Sequence, residues 1–150
     1  ITPVGRQLTF NDPRVKAALV ISAPVKVRST NDFAYMYGAI ALPCLHLTGT
    51  RDDSPVSDTV AAQRRIPFDY APGPDQYLAI LKDADHMIFA GRRRIRSSAK
   101  PTDANHMALS ALVSTAFWEA YLKNDAGARQ WLSGGGFATV LGADGTFEKK

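Results

Sequence analysis

The chain has one cysteine, Cys44, in 150 residues, which excludes an intramolecular disulfide framework and leaves the redox compartment open. With no second thiol, the zinc motifs built on cysteine pairs are absent as well. Long apolar runs are missing too, as the short stretches Ala17 to Ile21, and Ala39 to Leu42 before Pro43, illustrate. Neither approaches the ~20 apolar residues of a membrane-spanning helix. No basic segment followed by an apolar run opens the chain as a signal peptide would. The first residue is Ile1, so the true N-terminus is expected upstream, which leaves localisation open. No internal repeat or low-complexity stretch occurs.

Charge of one sign is scarce overall: 18 Lys and Arg against 14 Asp and Glu give a net +4. It is concentrated, however, because Arg92, Arg93, Arg94, Arg96 and Lys100 fall within nine residues. Such a run can meet phosphates, but no aromatic residue lies between Phe89 and Phe117, so the stacking platform of a single-strand binder is lacking. A solvated loop is the better reading, and nucleic acid is not an expected partner.

What is present suffices for a packed core, with 45% hydrophobic and 21% charged residues. Asn11-Asp12-Pro13-Arg14 is turn chemistry. It leads into Val15 to Ile21, a β-branched run with the look of a strand buried on both faces. A short helix over Asp32 to Tyr37 precedes a second strand, Leu42 to Thr48, which Gly49 is expected to break. Ser57 to Arg65 reads as a helix ended by Pro67, and Ala71-Pro72-Gly73-Pro74 forbids regular structure. Tyr77 to Leu81 is the third strand, followed by a loop from Lys82 to Met87.

Pro101-Thr102-Asp103 is a helix start signal. In the long helix that follows, Met107, Ala111, Thr115, Trp118 and Leu122 recur at helical spacing and are expected to face the core. Ala128 to Leu132 predicts a second short helix, Ser133-Gly134-Gly135-Gly136 a flexible break, and Asp144 to Lys150 an exposed tail. About three strands separated by helices predict an α/β fold, a parallel sheet with flanking helices and a long C-terminal helix. Three strands are few for a parallel sheet, so residues 1–150 read as the C-terminal part of a larger single domain.

Two strand ends carry the chemistry. After the second strand comes Thr48-Gly49-Thr50-Arg51-Asp52-Asp53-Ser54-Pro55, and after the third comes Lys82-Asp83-Ala84-Asp85-His86-Met87. In open parallel sheets, ligand sites lie beyond the carboxyl ends of the strands. A carboxylate and an imidazole can therefore meet there across a separation of 34 residues. A carboxylate that accepts from one ring nitrogen fixes the tautomer and stabilises the imidazolium formed at the other. The acid is Asp52 or its neighbour Asp53, and His86 is the base. What the pair lacks is a nucleophile.

This ordered set resembles the C-terminal half of an α/β-hydrolase, most closely the dienelactone-hydrolase-like and acetylhydrolase-like serine esterases. Asp12-Pro13-Arg14-Val15-Lys16-Ala17-Ala18 with Ser22-Ala23-Pro24 is similar to the strand that follows the nucleophile helix in that family. Ser114 to Leu122 is similar to its closing helix. The resemblance implies carboxylic-ester hydrolysis by a Ser-His-Asp triad, with Asp52 preferred as acid, His86 as base and no metal or organic cofactor. The family's Gly-x-Ser-x-Gly nucleophile turn occurs nowhere in the chain. The serine and the oxyanion donors are thus expected upstream or on another chain, and this chain alone is not expected to be active. The expected partners are a small-molecule ester and the N-terminal half of the same fold, with no membrane. The competing reading is a non-catalytic α/β domain that pairs with another chain or binds polyanions through Arg92–Arg96.

The remaining candidates have plainer roles. Ser22, at a strand end, and Met87, beside the base, are candidate pocket residues. His46 is expected to be a satisfied histidine near the core, His106 to contact solvent or pack locally, and Cys44 to be a small buried hydrophobe. His46, His86 and His106 do not have metal-ligand spacing. Ser133, beside three glycines but after no strand, reads as linker.

Overall fold

The computed structural model describes residues 12–25, 32–89 and 100–150. They form an α/β fold around a mixed, mostly parallel sheet of four strands, β1 (Ala18–Ile21), β2 (Cys44–Arg51), β3 (Gln76–Asp85) and β4 (Gly145–Lys149), in the order β1-β2-β3-β4. The first three are parallel and β4 runs antiparallel to β3. Helices α1 (Phe33–Tyr37) and α2 (Ile66–Tyr70) lie in the connections between the parallel strands, and a 3-10 turn, Ala61–Arg65, runs directly into α2. After β3 come α3 (His86–Phe89), the long α4 (Asp103–Leu122), α5 (Ala126–Ser133) and α6 (Gly136–Leu141).

Alternation along the strands divides the core into two layers. Leu45, Leu47, Tyr77, Ala79 and Leu81 share one face and pack with Leu109, Val113 and Phe117 of α4, Leu132 of α5, and Phe137 and Leu141 of α6. The alternate positions Cys44, His46 and Leu78 point to the other face, where Phe68 of α2 meets the His46 ring edge-on at 5.9 Å. Tyr77 and Tyr121 join their hydroxyls at 2.7 Å, and Tyr121 donates to Asp75 at 2.7 Å, so the buried phenols carry their own acceptor.

Several expectations are corrected. The sheet has four strands, because the supposed tail pairs with β3 and Phe147 stacks on Tyr77 with centroids 5.8 Å apart. The first strand is shorter than expected and is not buried on both faces: Val15 is 55% and Ile21 43% exposed. Pro67 does not end a helix but lies in the first turn of α2, where a missing N–H breaks no ladder bond.

The buried stripe of α4 is His106, Leu109, Val113, Ala116, Phe117, Ala120 and Tyr121, not the face through Met107 and Leu122, which are 50% and 55% exposed. Trp118 packs against the core while partly exposed. Nor are the three glycines a linker. Gly134 closes α5 by donating to the Gln130 carbonyl at 2.7 Å, and Gly135 takes a φ of +87°. A Cβ on Gly136 would strike the Trp131 indole.

The β2–β3 pair positions the candidate site. Gly49 does not end β2; the strand continues to Arg51. Register shifts between Gly49, opposite Leu81, and Arg51, opposite Asp85, so β3 carries extra residues there. Within the bulge Asp83 has a φ of +59° and its N–H donates to Thr50 Oγ1 at 2.8 Å. Ala84 crosses so close to Gly49 that a Cβ on the glycine would meet its carbonyl and methyl group. Bulges of this kind re-aim the residues that follow. Here the residue that follows is His86.

Candidate active site

Asp52 follows the carboxyl end of β2 and His86 opens α3 at the carboxyl end of β3, not in a loop. The structure brings them together. His86 Nδ1 lies 2.8 Å from Asp52 Oδ1. The carboxylate is fully buried, whereas the imidazole side chain is 34% exposed. Because a carboxylate accepts only, Nδ1 is the donor in this contact, and in the neutral ring Nε2 then presents its lone pair. Among the described residues the ring is engaged only through Nδ1.

The rest of Asp52 is closed in. Oδ2 accepts from Ser22 Oγ at 2.6 Å and from Thr48 Oγ1 at 2.7 Å. Oδ1 also faces Arg64 Nη2 at 3.3 Å, in an ion pair whose side chains are 1% and 0% exposed. Arg64 Nε donates to the Asp52 carbonyl at 2.9 Å, and Nη1 donates to the carbonyls of Ser22 at 2.6 Å and Ala23 at 2.9 Å. A buried charge requires this kind of pairing and hydrogen bonding. Thr59 pins the next stretch, exchanging bonds with Val25 N–H at 3.2 Å and Val25 C=O at 2.8 Å.

The other sequence candidates fall as follows. Asp53 points elsewhere, its Oδ1 accepting from Ala61 N–H at 2.8 Å. Ser22 is in the cluster, but its hydroxyl is turned to Asp52, and its φ of +50° is unusual for a residue with a side chain. Met87 is half-buried, and its N–H donates to Asp85 Oδ1 at 3.1 Å. Arg92, Arg93, Arg94 and Arg96 lie outside the described residues; Lys100 pairs with Asp85 at 2.5 Å.

His46 is buried, with Nε2 at 3.4 Å from Gln76 Oε1 and Nδ1 unpartnered among the described residues. Burial holds its pKa below the ordinary imidazole value, against the opposing pull of Gln76. His106 neither contacts solvent nor packs only within its helix: it is 3% exposed, and Nε2 donates to the Lys82 carbonyl at 2.9 Å. Burial pushes the Cys44 thiol up to about 12, so it remains protonated and inert at neutral pH. Among the described residues no group of three or more His, Cys, Asp or Glu could hold a metal ion, and no helix is long and apolar enough to cross a membrane.

Sequence reasoning missed Arg64 and Thr48. Thr48 had no signal beyond lying four residues before Asp52, and Arg64, in the segment read as a helix from Ser57 to Arg65, has nothing in its local sequence to set it apart from Arg65. No family model matches the chain, and no curated protein matches it.

Beside this cluster, on the α4 face, Ile21, Leu47, Ile88, Phe89, Met107 and Ala111 line an open groove of about 180 Å³. Among the described residues β1 pairs only with β2. Ile21 ends β1 and also lines the groove, so the two adjoin; Ser22 follows Ile21, and His86 lies two residues before the lining residue Ile88.

Proposed function

We propose that this chain is the C-terminal part of an α/β-hydrolase domain and supplies the acid and base for hydrolysis of a carboxylic ester. The observation that carries the reading is the Asp52–His86 pair. It joins a buried carboxylate to a part-exposed ring at 2.8 Å, beyond the carboxyl ends of two parallel strands. The resemblance of the flanking segments to dienelactone-hydrolase-like and acetylhydrolase-like esterases supports the reaction class.

The reaction follows from the ring's two nitrogens. A serine from outside this chain attacks the ester carbonyl while His86 Nε2 takes its proton, and Asp52 stabilises the imidazolium from the other side. Collapse of the tetrahedral intermediate breaks the bond to the alcohol, which leaves with the proton from Nε2. Water then attacks the acyl-enzyme, giving its proton to Nε2, and the acid departs as the serine recovers its hydrogen. Neither half-reaction calls on a metal or an organic cofactor.

Ser22, whose hydroxyl is committed to Asp52, does not fit the nucleophile role. The β1 edge, unpaired among the described residues, and the groove between Ile21 and Met107 fit cover by the segment that carries the serine, since parallel strands are ordinarily buried on both faces. A fluorophosphonate probe on the full-length protein tests the reading. Covalent labelling of one serine supports it. Absence of labelling, together with polyanion affinity that falls steeply with salt, supports a non-catalytic binding domain.

A further inference from the structure

We infer that Arg64 is a positioning residue: its buried guanidinium locks the Asp52 carboxylate towards His86 and thereby fixes which ring nitrogen carries the proton. The fork joins the ends of two neighbouring strands, beside the direct bond from Ser22 Oγ to Asp52 Oδ2. Nη1 holds the turn after β1 through Ser22 O and Ala23 O, while Nε holds the loop after β2 through Asp52 O. Ser22 can keep its left-handed φ of +50° because its carbonyl and its hydroxyl both have partners in this cluster, Arg64 and Asp52.

The contacts around Oδ1 decide the assignment. Arg64 Nη2 lies 3.3 Å from Asp52 Oδ1 and 3.5 Å from His86 Nδ1, and Nδ1 lies 2.8 Å from the same Oδ1. A guanidinium can only donate and a carboxylate can only accept. Arg64 and a protonated Nδ1 are therefore two donors converging on one oxygen, and the 3.5 Å approach is not a hydrogen bond between them. Were Nδ1 unprotonated, its lone pair would face the Asp52 oxygen at 2.8 Å, acceptor against acceptor, with Arg64 the donor beside both. Ser22 and Thr48 hold only Oδ2, so without Arg64 only the part-exposed His86 ring holds Oδ1 and the carboxylate loses its buried countercharge. A lysine retains the charge but not the planar fork.

The placement of the ring proton stands independently of the hydrolase reading; the kinetic consequence rests on it. The test uses full-length protein with ¹⁵N-labelled histidine, the His86 signals being assigned by their loss in His86→Ala. At a pH where the ring is neutral, the parent should show His86 protonated at Nδ1, with that proton strongly deshielded. Arg64→Gln should lose this signal, and Arg64→Lys should show it shifted and broadened. An unchanged Nδ1–H resonance in Arg64→Gln overturns the proposal; if that variant does not fold, an unchanged resonance in Arg64→Lys overturns it. With p-nitrophenyl acetate, Arg64→Lys should lower kcat on the order of 100-fold at near-parent KM, as misplacement of a catalytic group does. A parent without His86-dependent turnover would sink the hydrolase reading and leave the resonance test standing.

Discussion

Asp52 is wholly buried while His86, bonded to it at 2.8 Å, keeps a third of its side chain exposed. That asymmetry suits an acid that orients and a base that must reach substrate. The neighbouring Asp53 bonds the Ala61 N–H instead.

The two acids should separate cleanly on mutation. Asp52→Asn should lower ester turnover of the full-length protein by about 10⁴-fold, the scale for loss of the orienting carboxylate in another serine hydrolase. Asp53→Asn should leave turnover within a few-fold of the parent. Turnover measured beside melting temperature checks this, and an inactive, folded Asp53→Asn would move the acid role to Asp53.

The C-terminal segment should behave as core. Phe137 is fully buried and meets Phe147 edge-on at 5.0 Å. Phe137→Ala should destabilise the fold by about 3–5 kcal/mol, read from urea denaturation. A loss below about 1 kcal/mol, the range of surface substitutions, would contradict this packing.

His46 predicts a direction with pH. Its folded pKa lies below the ordinary 6.5 because it is buried, so the unfolded chain binds the proton first on acidification. Its share of stability is whole above pH 6.5 and declines as pH falls from there through the folded pKa. The drop in urea midpoint between about pH 7.5 and 5.5, either side of the imidazole range, should be smaller in His46→Gln than in the parent. An equal drop in both would contradict this.

That Asp52 and His86 lie at the carboxyl ends of neighbouring strands was legible, because each apolar run gives way to polar residues ahead of them. Both strands nonetheless run past their expected ends, β2 to Arg51 and β3 to Asp85. The β3 bulge, which sets His86 over Asp52, depends on Ala84 crossing Gly49, a contact between strands that no local pattern encodes. The α4 face was misplaced because apolar residues surround the helix: Met107, Leu112 and Leu122 are exposed while Leu109 and Val113 are buried. Periodicity alone cannot choose between two such stripes. Arg64 and Arg65 are adjacent in sequence, yet one is buried at Asp52 and the other pairs at the surface with Asp69 and Glu148. Only the tertiary fold distinguishes them.

The central claim is that His86 is the base of an ester hydrolase, and His86→Ala tests it most directly. The ring sits at the mouth of the cluster, part-exposed, so its removal should leave the fold intact. In full-length protein with an unchanged melting temperature, p-nitrophenyl acetate turnover should fall by at least ~10³-fold, as loss of a triad member does. Turnover that persists at the parent rate in the folded variant would contradict the account.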